Sequence, residues 1–151
     1  MPKRASRTIS VLYRYSQRFL TRRLRPLGLE VGEFPALMQI YTRPGITQEQ
    51  ISAETGMDKG TTARSVGQLE QMGLILREVD QVDRRVNHSY PSAEGLKLQP
   101  EFQAVADELR SVLYGGMTSQ EVQATARLLE RMRKNMIEEI KRQTGITPEI
   151  V

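Results

Sequence analysis

Residues 46–92 read ITQEQISAETGMDKGTTARSVGQLEQMGLILREVDQVDRRVNHSYPS, and the fold follows from how this stretch divides. Thr47 is an N-cap, its hydroxyl placed to take an otherwise unpaired backbone N–H, and Gln50 stands where a capping box reaches back. Ile46 and Ile51 flank that cap as a hydrophobic staple. Gly56 ends the helix at the position where a left-handed residue is needed, and Asp58 caps a second helix two residues later. Two helices joined this tightly cross steeply, which is the arrangement of a helix-turn-helix that offers its second helix to a nucleic-acid groove.

The second helix is predicted over Lys59 to Met72, before Gly73 stops it. Ala63, Val66, Leu69 and Met72 recur at three-residue steps and are expected to form its narrow buried face. Thr61, Arg64, Ser65 and Gln68 fall at i, i+3, i+4 and i+7 and form a second stripe with no large apolar member. Arginine, glutamine and hydroxyl side chains address base edges and phosphates, although for an isolated amphipathic helix a merely solvated face explains the same residues. Lys59, Gly60, Thr61, Thr62, Arg64, Ser65 and Gln68 are the expected DNA-contacting residues of this helix.

Leu74 to Val79 is short, apolar and β-compatible, Asp80 to Arg85 is a polar turn, and Val86 to Tyr90 returns as a second strand, closed by Pro91 and Ser92. An arginine-tipped hairpin directly after a helix-turn-helix is a wing, with Arg84 and Arg85 placed to reach phosphates or the minor groove. Asp83 is repelled by phosphate, so its expected role is wing-positioning: it holds one neighbouring guanidinium in a bidentate pair and so aims the other. A solvated charged turn is the competing reading.

In order and spacing, Ile46–Ser52, the run Gly56–Glu70, Gly73-Leu74-Ile75, Asp83-Arg84-Arg85 and Ser92-Ala93-Glu94-Gly95 resemble the winged-helix core of the MarR (multiple-antibiotic-resistance regulator) family. With the flanking helices the likeness covers all but the extreme ends. It implies a dimeric transcription regulator, a repressor more often than an activator, released from DNA by a small aromatic or anionic ligand. The sequence departs from the family pattern in three places. Ser89 and Pro91 stand where the second wing strand carries aliphatic residues, Glu30 replaces the usual hydroxyl cap of the second helix, and Pro35 falls early in that helix.

The chain has 151 residues, about one domain's worth, so 1–151 is read as a single domain. Hydrophobic content of 38% with 5% aromatic suits a helical protein that shares apolar surface with a second copy. There are no cysteines, which excludes disulfides, thiolate catalysis and a cysteine-oxidation switch. No apolar run approaches the roughly 20 residues of a membrane span, and Met1 to Ser6 lacks a secretory segment, so a cytoplasmic protein without membrane partners is expected. The net charge is +4, but it is unevenly spread. Residues 1–45 carry nine Lys or Arg against two acids, residues 46–95 five against eight, and residues 96–151 eight against eight. Binding to DNA therefore rests on where Lys59, Arg64, Arg77, Arg84 and Arg85 point, with Glu70, Glu78 and Glu94 turned away, and not on total charge.

A leading helix is expected from Arg7 to Arg25, after a loose segment 1–6. Leu12, Tyr15 and Phe19 lie on one stripe, Leu20, Leu24 and Leu27 on another, and Arg14, Arg18 and Arg22 form a basic edge. The family resemblance implies an effector pocket where this helix meets the winged-helix region. Tyr15, Arg18, Phe34 and Met38 are its expected lining, with Arg18 as the anion anchor. After the wing, Ser92 caps a long helix with Leu96, Phe102, Val105, Leu109 and Leu113. Gly115-Gly116 interrupts, and Thr118 with Glu121 opens a last helix carrying Val122, Ala126, Leu129, Met132, Met136 and Ile140. So much apolar face outside the core predicts a homodimer presenting two recognition helices to a pseudo-palindromic double-stranded operator.

The expected fold is mainly α with a small β-hairpin wing: a winged helix-turn-helix DNA-binding region over 29–95 and dimerisation helices over 7–28 and 96–145. No phosphate loop, nucleotide fingerprint or metal-ligand spacing occurs, and His88, the one histidine, is better explained by a charged hairpin than by chemistry. No enzyme activity, metal or cofactor is expected. The competing class is a winged-helix protein–protein interaction module without DNA or effector, which the acidic balance of residues 46–95 permits.

Overall fold

The computed structural model describes residues 3–146. The elements run α1 (Lys3–Leu24), two short 3-10 turns (Arg25–Leu27 and Val31–Glu33), α2 (Phe34–Thr42), β1 (Ile46–Thr47), α3 (Gln48–Thr55), α4 (Lys59–Gln71), β2 (Ile75–Val79), β3 (Asn87–Pro91), α5 (Ala93–Leu113) and α6 (Ser119–Thr144). The leading helix thus begins at Lys3, four residues before the expected start, so residues 3–6 of the segment read as loose are helical. It stops at Leu24 because Pro26 follows, and Gly28 takes the left-handed conformation, φ 73°, that closes the turn.

The caps fall where the sequence puts them. Thr47 accepts from the N–H of Gln50, whose side chain accepts from the Thr47 N–H, and Gly56 closes α3 at φ 73°. Asp58 accepts from the Thr61 N–H, Ser92 from the Gly95 N–H, and Thr118 from the Glu121 N–H. At the unusual acidic position, the Glu30 N–H donates to the Glu33 carboxylate at 2.8 Å, and Pro35 occupies the first turn of α2, where a missing N–H costs nothing. Glu33 itself is buried.

The core gathers α2, the inner faces of α3 and α4, and the start of α5 around Phe102, which is fully buried. Phe34 and Tyr41 lie against its ring at centroid distances of 5.0 and 5.3 Å. Leu20 and Leu24 of α1 close this core from one side. Tyr41 donates its hydroxyl proton to the Gly95 carbonyl, and burial pushes its pKa up to about 12. Gly95 is sterically obligatory, since a Cβ there would stand 2.0 Å from the Leu74 carbonyl oxygen.

The expected two-stranded hairpin is part of a three-stranded antiparallel sheet in the order β1-β3-β2. Ile46 and Thr47, read only as staple and cap, also pair with Ser89 and His88, so the second wing strand is the central one. It spans Asn87–Pro91, one residue later than Val86 to Tyr90. Ser89 is therefore fully buried between Ile46 on one side and Arg77 on the other, and Pro91 sits at the strand's end opposite Ile75.

Helix α6 has no buried residue. Leu129, Met132, Met136 and Ile140 are all exposed along it, as are Ile9, Leu12, Tyr13 and Tyr15 on α1 and Val112 and Leu113 at the end of α5. Among the described residues no helix is long and apolar enough to cross a membrane.

Candidate nucleic-acid interface

Helix α4 presents Lys59, Gly60, Arg64 and Gln68 to solvent, with Thr61 half-buried. Asp58, as cap, fixes the helix start, and its carboxyl pKa is lowered, chiefly by the N–H of Thr61. The Arg64 guanidinium donates to the Thr61 hydroxyl at 3.1 Å, so the two side chains project from one spot on the outer face. Gly60 lies beside them, and a Cβ there would meet the Asp58 carboxylate at 3.4 Å and the Arg64 guanidinium at 3.5 Å, ordinary contact distances.

Two residues expected to contact DNA face inward. Thr62 is fully buried, its hydroxyl donating to the Asp58 carbonyl at 2.9 Å and lying 2.7 Å from the Ser52 hydroxyl. Ser65 is 8% exposed and donates to the Gly32 carbonyl at 3.0 Å, tying α4 to the turn before α2. Conversely Ala63, expected in the core, is exposed. The buried face is Thr62, Ser65, Val66 and Leu69, at i, i+3, i+4 and i+7. Three-residue steps fall about 60° short of a full turn each time, so a stripe drawn through Ala63, Val66, Leu69 and Met72 drifts off one face. The short hydroxyl side chains sit inside because each finds a partner there.

The wing rises from the β2–β3 ladder. Asp83 accepts from Arg85 twice, Nε to Oδ1 and an Nη to Oδ2, each at 3.0 Å, and again from the Arg85 backbone N–H. The bidentate pair expected of Asp83 is made with Arg85, so the arginine that Asp83 orients is the one it holds and not, as expected, its neighbour; the pair lowers the Asp83 pKa. Arg85 remains almost wholly exposed, and Arg84 beside it is exposed too. Val82 stands at the tip with 95% of its surface exposed. Lys59 of α4 and Arg85 of the wing face each other across a cleft of about 230 Å³ whose walls include Thr47, Gln48 and Asn87.

Arg77, largely shielded from solvent, is tied inside the fold. Its guanidinium holds Glu70 through two bonds, at 3.1 and 3.0 Å, and donates to the Gln48 side chain at 3.1 Å. That network neutralises Glu70 and joins β2 to both helices of the helix-turn-helix. Glu94 pairs with Lys97 one turn along α5.

Two wing residues were not assigned by sequence. Asp80 accepts from the N–H groups of Val82 and Asp83 through Oδ2, and from the His88 ring through Oδ1 at 2.8 Å, which holds its pKa at about 2. An aspartate opening a turn is the available signal for the first part of that role.

The four residues expected to line an effector pocket do not share one. Tyr15 and Arg18 lie exposed on α1, the guanidinium 5.2 Å from the ring centroid, whereas Phe34 and Met38 pack against the core. Two helical turns of the stripe pattern describe either arrangement. An open groove of about 540 Å³ lies elsewhere, between α3 and α6, lined by Ala53, Met57, Met136, Ile137 and Ile140 together with the charged Glu49, Asp58, Lys59 and Arg133. Among the described residues no cluster of His, Asp and Glu could hold a metal ion.

The sequence pattern of the MarR family matches residues 27–86. An uncharacterised HTH-type transcriptional regulator of Bacillus subtilis, YybA, is 31% identical over 112 residues, covering 74% of this chain and 75% of that protein. The crystal structure of a MarR transcriptional regulator from Methanosarcina mazei Go1 is 34% identical and covers 88% of this chain and 96% of its own, with a TM-score of 0.79. A putative MarR family regulator from Listeria monocytogenes, solved in complex with a 26mer DNA, shares the fold with a TM-score of 0.86 at 23% identity, over 95% of this chain and 97% of its own.

Proposed function

The chain belongs to the MarR family of transcription regulators, and from that premise we propose that it is a homodimeric repressor that grips a pseudo-palindromic operator through α4 and the wing. The observation that carries this reading is the shared exposure of Lys59, Arg64 and Gln68 on α4 with Arg84 and Arg85 on the wing, while Glu70 is paired with Arg77 and Asp83 with Arg85. Local geometry thereby compensates for the acidic balance of residues 46–95. In this arrangement α4 reads base edges in the major groove, Arg84 and Arg85 meet backbone or minor groove, and Asp83 orients Arg85. The winged-helix region over 29–95 and the flanking helices 7–28 and 96–145 divide the work between DNA and partner subunit.

Selection of bound fragments from the source genome with purified protein tests this directly. A recurrent inverted repeat is the expected result, and log affinity should fall steeply with log salt as phosphates are neutralised. Retention of no fragment, or a salt slope near zero, would favour a protein-binding module instead.

Release from DNA by a small aromatic or anionic ligand is the regulatory part of the proposal. In the dimer, Tyr15 and Arg18 lie on a helix whose outer face awaits the partner, so a pocket there would be completed by the second subunit. Calorimetry with salicylate-like acids on the wild type and on Arg18→Ala tests it, and heat unchanged by the substitution removes Arg18 from the site.

A further inference from the structure

We propose that His88 is a positioning residue for DNA binding, whose protonated ring pins the root of the wing and makes operator affinity depend on pH. This inference rests on the reading of the wing as a DNA contact.

The ring sits on the central strand at a junction. Nε2 is 2.8 Å from Asp80 Oδ1, at the start of the wing turn, and Nδ1 is 2.7 Å from the Gly45 carbonyl, in the turn that leads through β1 into α3. Both neighbours are acceptors only. A neutral imidazole has one N–H and one lone pair, so it satisfies one of them and turns a lone pair on the other; the imidazolium donates to both. The geometry therefore calls for the charged ring. The charged groups acting on it are Asp80 and, across the β2–β3 ladder, Glu78, while β1 offers the neutral Thr47 as its register partner. The hydrogen bond to Asp80 first, then that to Gly45, raises the His88 pKa above its ordinary value.

The mechanical consequence follows from what each acceptor does. Asp80 also receives the Val82 and Asp83 N–H groups, so it sets the turn that carries Asp83, Arg84 and Arg85. Gly45 is anchored to the same strand by its N–H to the Ser89 carbonyl at 2.8 Å, and it precedes the helix-turn-helix directly. The ring thus fastens the wing turn to the base of α3. Losing the proton forfeits one of the two fastenings and frees the wing to shift relative to α4. A folded-state pKa above the unfolded value means this constraint is complete below the ordinary histidine range and is lost as pH rises through the raised value.

His88 is the only histidine, so no other side chain of ordinary pKa titrates between pH 5 and 8. Operator affinity of the wild type, measured at constant salt from pH 6 to pH 9, should fall by about tenfold per unit by which DNA raises the ring's pKa. His88→Gln should be weaker at pH 6, match the wild type at pH 9, and show no step. Asp80→Asn should move the step to lower pH, which a residue serving only as a structural brace would not do. In the free protein, the His88 ring and the backbone amides of Asp83, Arg84 and Arg85 should titrate together by NMR. A flat wild-type profile, an identical slope in His88→Gln, or wing amides indifferent to the His88 titration would each overturn the proposal. The free-protein titration separates the two readings: joint titration without any DNA binding would retain the fastening and sink the assignment of the wing to DNA.

Discussion

Arg64 and Arg85 carry the same charge and are held in different ways, and under the proposed DNA-binding role that difference would give them different work. Arg64 donates sideways to Thr61 on an exposed helix face, with further guanidinium N–H groups left to reach a base edge. Arg64→Ala should cost about 1 to 3 kcal/mol on the operator and much less on random DNA, a difference that competition titrations would read. Arg85 is clamped by Asp83, so its position is set before DNA arrives. Arg85→Ala should weaken operator and random DNA more evenly and flatten the salt slope by about one unit per lost phosphate contact. Asp83→Ala removes a negative charge yet should act in the same direction, because the guanidinium loses its orientation and its backbone tether. Tighter binding by Asp83→Ala would show repulsion to be the stronger effect and would refute the positioning role. Thr62→Val and Ser65→Ala, in contrast, should show up in stability and not in base preference, since each hydroxyl is spent inside the fold.

Gly95 shows how closely the start of α5 packs against the turn between α4 and β2. The first turn of α5 passes so close to β2 that any side chain at Gly95 would strike the Leu74 carbonyl, a backbone atom that cannot swing aside. The same turn supplies the carbonyl that satisfies Tyr41 inside the core. Gly95→Ala should therefore destabilise the protein by about 2 kcal/mol or more, well outside the few tenths expected of a surface change, as chemical denaturation would measure. At the other end of the same sheet, Thr47→Ala removes a helix cap and should cost about 1 kcal/mol while leaving the core intact.

On the scale of the whole molecule, the chain is well packed at one end and unfinished at the other. Phe102 and its neighbours close a core around the winged helix, while α6 leaves Leu129, Met132, Met136 and Ile140 exposed over several turns and buries nothing. Exposed apolar surface on that scale, repeated on α1 and the end of α5, is what a two-fold partner covers. Sedimentation at low micromolar concentration should show one two-chain species, and Leu129→Asp should abolish dimer and operator binding together. A stable folded monomer of the wild type would contradict this assembly. Charge follows the same division: the excess of arginine lies in residues 1–45, so DNA binding by the helix-turn-helix and wing, as proposed, would rest on a few aimed cations and not on a general positive field.

Most of the winged helix was legible in the sequence because its signals are local. A cap reaches three residues, a left-handed glycine ends its own helix, and an aspartate two residues before an arginine meets it across a tight turn; Thr47, Gly56, Asp58, Ser92 and Asp83 all behave as such neighbours must. What only the tertiary structure decided involves partners far along the chain. Whether Thr62 or Ala63 faces inward depends on α3 bringing the Ser52 hydroxyl against α4, and on the exact phase of a helix whose small residues leave that phase open. The third strand exists because Ile46 meets Ser89 across some forty residues of chain, and two residues are too few to announce a strand by alternation. His88 gains its meaning the same way: its ring is defined by the Gly45 carbonyl, 43 positions away in sequence and 2.7 Å away in space.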